Sequence, residues 1–228
     1  MKTHNLIGKI TLEENVHIIK SNKHSGALII DVPNPLASYY SNFTGIQKPN
    51  SIVLITKNTN SFENILRATK NINTKKNWNL SGAKCEVQTN GKQLNGIRVK
   101  KINSYTDIDE VLELYTNEGF DFNSNLRINE KELVRLKVNK FFDLEEVNDS
   151  IFRSRRNADR FYFKMNASDN FETCKNKIKH AKNNLPSNNF DAAHVIFYNQ
   201  GAINDMVRVI KPNLSIQEVQ EIYKKYNQ

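Results

Sequence analysis

Glycine and proline are scarce in this chain, with 8 and 5 among 228 residues, and cysteine is scarcer still at 2. So few glycines leave out the phosphate-cradling loops: neither GxxxxGK[ST] nor GxGxxG occurs. HExxH and CxxC are also absent, and the five histidines, His4, His17, His24, His180 and His194, form no H-x-H pair. Cys85 and Cys174 make no disulfide framework and have no metal-ligand spacing. Both sit at apolar positions of their segments and read as small buried hydrophobes. These absences leave no catalytic residue, metal ligand or cofactor to assign. No apolar run approaches the roughly 20 residues that span a bilayer. The opening "MKTHNLIGKITLEEN" lacks the apolar core of a secretory signal. The expectation is a cytoplasmic protein with no membrane partner.

Charge is abundant and unevenly placed. The formal net charge is +9 and the pI about 9.4. Residues 51–101 carry ten Lys/Arg against two Asp/Glu, net +8. Residues 102–150 carry five against twelve, net −7, and residues 151–211 eleven against five, net +6. A basic balance of this kind suits a polyanionic partner. Arginine is rare beside lysine, which singles out the run "RSRR", Arg153 to Arg156, in front of a strand-like segment.

One phrase of the sequence occurs twice. Residues 82–99, "GAKCEVQTNGKQLNGIRV", lie over 192–209, "AAHVIFYNQGAINDMVRV", without a gap. Ala83, Gly91, Arg98 and Val99 coincide with Ala193, Gly201, Arg208 and Val209. Each stretch reads as two alternating strands around a glycine-containing turn. Upstream, "NSFENILRATKNI" matches "DNFETCKNKIKHA", each a helix with Ser, Asn or Asp at its start. Before these helices stand the strand-like "SIVLIT" and "RFYFKM"; downstream, "DEVLELY" matches "QEVQEIY".

That order, strand–helix–strand–strand–helix, resembles most of the ferredoxin-like split βαβ unit. The expected fold is therefore α+β, with internally duplicated βαββα (ferredoxin-like) units and extra N-terminal and connector strands. "FDFNS" at Phe120 is a candidate fourth strand of the first unit, and "LVRLKVNKF" at Leu133 alternates as a connector strand. The division falls at residues 1–125 and 126–228, closely packed as one body because no Pro/Gly/Ser-rich tether separates them.

Alternation within the strands then assigns faces. Placing Phe161, Phe163, Ala193, Val195, Phe197, Val207 and Val209 beneath the helices leaves Tyr162, Lys164, His194, Ile196, Tyr198 and Arg208 on the other face. The matching face of the first unit carries Lys84, Glu86, Gln88, Arg98 and Lys100, without an aromatic. Aromatics interleaved with cations on an open sheet suit base stacking and phosphate neutralisation. The candidate nucleic-acid-binding residues are Tyr162, Lys164, His194, Tyr198 and Arg208, with Arg153, Arg155 and Arg156 gripping phosphates from the adjoining loop. The expected function is non-catalytic binding of nucleic acid or another polyanion. The alternative is an assembly protein that binds protein partners or its own copies through its sheet faces.

Overall fold

The structure, a computed structural model, describes residues 2–21, 23–24, 28–32, 51–89, 91–100, 107–124, 133–186, 189–198 and 205–228. The turn around Gly201 and the proline-containing segment after Asp31 lie outside them. The chain runs through β1 (Thr3–Asn15), β2 (His17–Lys20), β3 (Leu28–Val32), β4 (Ser51–Thr56), α1 (Phe62–Lys76), β5 (Ser81–Thr89), β6 (Lys92–Lys100) and α2 (Ile108–Asn117). It continues through β7 (Leu133–Glu146), β8 (Ile151–Ser154), β9 (Arg160–Lys164), α3 (Phe171–Asn183), β10 (Asp191–Phe197), β11 (Met206–Ile210) and α4 (Ile216–Tyr226).

Each helix starts where a side-chain oxygen accepts a bond from an otherwise orphaned backbone N–H. Ser61 caps α1 through Asn64 N–H, and Asp107 caps α2 through Asp109 N–H. Asn170 and Ser215 open α3 and α4 in reciprocal capping boxes with Thr173 and Glu218. Helix α1 ends on Asn77 in the left-handed conformation, φ 52°, with Lys75 and Lys76 placed in the last turn against the helix dipole.

The chain forms two compact units, one of residues 12–139 and the other of residues 1–11 with 140–228. In the 12–139 unit the strand order is β7, β5, β6, β4, β3, β2, with antiparallel pairing from β5 to β2. Ile52, Leu54, Ile97 and Val99 face Ile65, Ala68 and Ile72 of α1 and Val111, Leu112 and Tyr115 of α2. Arg98 stands on the opposite side, level with Val53 and Ala83, and donates from Nε to Ser51 Oγ at 3.0 Å.

In the other unit β1, β10, β11, β9, β8 and β7 follow one another, and β7 pairs back onto β1. Six antiparallel strands thus close into a barrel. At one end of the seam Glu146 N–H donates to the Lys2 carbonyl at 2.9 Å. Outside the barrel, Phe161, Phe163, Val207 and Val209 pack against Cys174 of α3 and Val219, Ile222 and Tyr226 of α4. Leu6, Ile10, Phe142, Leu144, Phe152, Tyr162 and Val195 are buried on the inward rows.

This closure overturns the duplicated ferredoxin-like arrangement, and with it the internal repeat as a description of the fold. A ferredoxin-like unit is an open sheet whose fourth strand follows the second helix. Here β8 lies along β9 and β1 along β10, and both lead round to β7. In the 12–139 unit β3 lies along β4, while "FDFNS" contributes the single bridge Thr56–Phe122. The strands that decide the topology, β1, β3, β7 and β8, all lie outside the matched stretches of sequence. Closing the sheet satisfies the rows of N–H and C=O groups that an open edge would expose.

Candidate polyanion interface

The face assignment fails by one residue in β10. Ala193 stands level with Arg208, and Arg208 with Tyr162. Cross-strand neighbours share a face, so Ala193, Val195 and Phe197 point into the barrel with Tyr162 and Arg208. His194 is level with Val207, and Val207 with Phe163, which puts it on the helix side. There its Nε2 lies 3.2 Å from Asp205, and its ring is 6.1 Å from that of Phe171. The same slip separates Lys84, level with Ile97, from Arg98.

Tyr162 is 1% exposed. Its ring meets Phe142 edge to face, and Phe142 in turn meets Phe197 at 5.1 Å. Burial pushes the Tyr162 hydroxyl pKa up, so it is held as a neutral donor. Lys164 shares the Tyr162 side of β9, with its ammonium 5.6 Å from the Phe152 ring. Tyr198 lies just past β10, where its N–H donates to the Ile7 carbonyl at 3.0 Å. The Lys9 ammonium sits 5.4 Å from the centre of its ring, and Lys9 alternates with inward-facing Ile10. Tyr162 and Tyr198 therefore occupy opposite sides of the sheet. No stacking platform joins them.

What the fold does gather is arginine. Five of the nine arginines in the sequence, Arg153, Arg155, Arg156, Arg160 and Arg208, belong to β8, β9, β11 and the β8–β9 turn. Arg153 lies over the Phe161 ring at 5.7 Å. Arg155 and Arg156 stand in the turn, their side chains 49% and 69% exposed, and share Asp143 at 3.4 and 3.6 Å. Exposed pairs of this length are weak and yield readily to a phosphate. At the same barrel end Arg160 opens β9, and Arg208 donates to Asp191 Oδ2 at 2.8 Å. Burial lowers the Arg208 pKa and Arg160 lowers it further, against the opposing effect of Asp191. Counting Asp143, Asp159, Asp191 and Glu145, which stands level with Arg153, against the five arginines leaves a local net charge of +1.

Two of these residues, Arg160 and Asp191, are missed by a reading that starts from aromatic–cation alternation. The signal is present in the sequence, since each opens its strand two residues before an inward-facing position. It becomes visible only once β10 is in phase with β11.

No family model, curated protein or solved structure matches this chain. Among the described residues no group of His, Cys, Asp and Glu is arranged to hold a metal ion, and no helix is long and apolar enough to cross a membrane. Both cysteines are buried, and desolvation pushes their thiols up to about 12, which keeps them protonated and poorly nucleophilic.

Proposed function

We propose that this protein is a non-catalytic binder of nucleic acid, or of a polyanion of similar charge, that grips phosphates and does not read bases. The observation carrying this is the arginine cluster at one end of the barrel, with Arg155 and Arg156 exposed on a single shared carboxylate. Guanidinium groups match phosphate oxygens in pairs, and such contacts position a strand without sequence preference. Base stacking drops out of the reading, because Tyr162 packs inside the barrel. The test is the salt dependence of affinity for mixed-sequence oligonucleotides. Phosphate contacts release counterions, so affinity should fall steeply and linearly on a log–log scale. Affinity that is flat in salt, or confined to one sequence, would overturn the proposal.

One observation favours a second reading, self-association. Ile7 and Phe141 are 39% and 44% exposed on β1 and β7, strands that pair with each other. An apolar pair on an outward row suits contact with another protein. Mass in solution separates the readings: a dimer that persists in high salt and dissociates in Ile7→Ser supports assembly.

A further inference from the structure

Inside the end of the barrel formed by residues 1–11 and 140–228, two guanidinium groups share one face. Asp191, Ile210 and Arg160 stand level on neighbouring strands, and the next inward row holds Ala193, Arg208 and Tyr162. Arg208 is 8% exposed. One of its nitrogens, Nη2, donates to Asp191. Its Nε–H is buried and has no acceptor among the described residues, and the same is true of the Arg160 Nε–H. Arg160 and Arg208 both act on the Tyr162 hydroxyl, each favouring its ionised form against the larger effect of burial. Among the described residues Asp191 pairs with Arg208, and no carboxylate pairs with Arg160. A buried positive charge with an empty donor is costly unless something answers it.

We propose that Arg160, Arg208 and the Tyr162 hydroxyl form a site for a single phosphate group at this end of the barrel. Their donors come from two strands, β9 and β11. A tetrahedral oxyanion offers a separate oxygen to each, which a planar carboxylate does not. Its charge offsets the cation that Asp191 leaves unbalanced. The site borders accessible surface at its rim, where the Asp191 side chain is 29% exposed and Arg160 is half-buried. Burial and the proximity of Arg160 both work against the charged form of Arg208, and a bound anion would relieve both. The phosphate belongs either to a free phosphate or to the 5′ end of a strand.

The test uses the full chain and thermal melts in 10 mM inorganic phosphate against chloride at equal ionic strength and pH. For a Kd of about 1 mM the melting temperature should rise by roughly 3–6 °C in phosphate. Arg160→Gln, at a half-buried position, should fold and lose that rise, and Arg208→Met should lose it as well. A wild-type melt identical in the two salts would overturn the site, as would a rise that Arg160→Gln retains. With the rise present, tighter binding of a 5′-phosphorylated oligonucleotide than of its 5′-hydroxyl twin assigns the site to a strand end. Equal binding assigns it to free phosphate. The melts contain no nucleic acid, so this proposal stands or falls apart from the polyanion reading.

Discussion

Tyr162 and Phe142 meet edge to face inside the barrel, ring centroids 5.8 Å apart at 83°. They come from β9 and β7, and their contact exists only because the sheet curls far enough to bring its inward rows together. Tyr162→Ala should therefore cost about 3–5 kcal/mol in chemical denaturation through reduced burial and a cavity. Affinity of the folded fraction for oligonucleotides with a 5′-hydroxyl end, which leave the Tyr162 hydroxyl unused, should not change. A variant as stable as wild type would mean that Tyr162 faces solvent and the barrel is open.

Gly82 supports a different contact, in the 12–139 unit. A Cβ there would run into Thr69 Oγ1 and the Tyr115 hydroxyl, which are themselves hydrogen-bonded at 2.6 Å. Neither partner yields easily, since Thr69 also donates to the Ile65 carbonyl at 2.7 Å. Gly82→Ala should destabilise by about 1–3 kcal/mol, as overpacking does. The companion change Thr69→Ala should recover part of that loss. A double-mutant cycle checks both, and additive effects would refute the shared contact.

Asp169 gives a pH dependence whose sign is fixed. Burial opposes its charge, but hydrogen bonds from Lys177 at 2.8 Å and the Tyr226 hydroxyl at 2.9 Å together outweigh it, and the pKa falls below the ordinary value. A carboxylate with a depressed folded pKa adds stability above its unfolded pKa and loses it as pH falls through the folded one. At pH 7 Asp169→Asn should cost about 1.5–3 kcal/mol, the range for bonds to a charged group. The gap to wild type should close as the pH is lowered past the usual aspartate range. Denaturation midpoints of both proteins between pH 7 and pH 2 would show it, and a gap that does not narrow would contradict the assignment.

The β8–β9 turn carries the functional prediction. Replacing Arg155 and Arg156 with Gln should reduce the log–log salt slope of oligonucleotide binding by roughly 0.7–0.9 for each phosphate no longer gripped. Stability should change little, since both side chains are exposed and their ion pairs are long. Tyr198→Ala should leave the slope unaltered. A large drop in affinity for Tyr198→Ala with an unchanged slope would restore base stacking and contradict the phosphate-only reading.

Much of the candidate site is legible in the order of the amino acids. The arginine run stands out because arginine is rare in this chain, and its place before a strand marks a turn. Arg160 and Asp191 are not legible as neighbours. They lie 31 positions apart on strands separated by β11, and only the pairing through Ile210 brings them level.

The sequence by itself determined the local elements. Ser61, Asp107, Asn170 and Ser215 mark helix starts because their side chains bond to backbone groups two or three residues away. Alternation at Phe161 and Phe163 marks a strand with one face packed beneath helices for an equally local reason, the period of two. Which way β10 faces, and whether the sheet closes, were decided by tertiary structure alone. Both sides of β10 carry apolar residues, Ala193, Val195 and Phe197 on one and Ala192 and Ile196 on the other, so burial of either satisfies the pattern. Only pairing with β11 and β1 fixes the register, and a shift of one residue exchanges the faces. Closure depends on β1 meeting β7, more than a hundred residues apart, a contact that no local periodicity encodes.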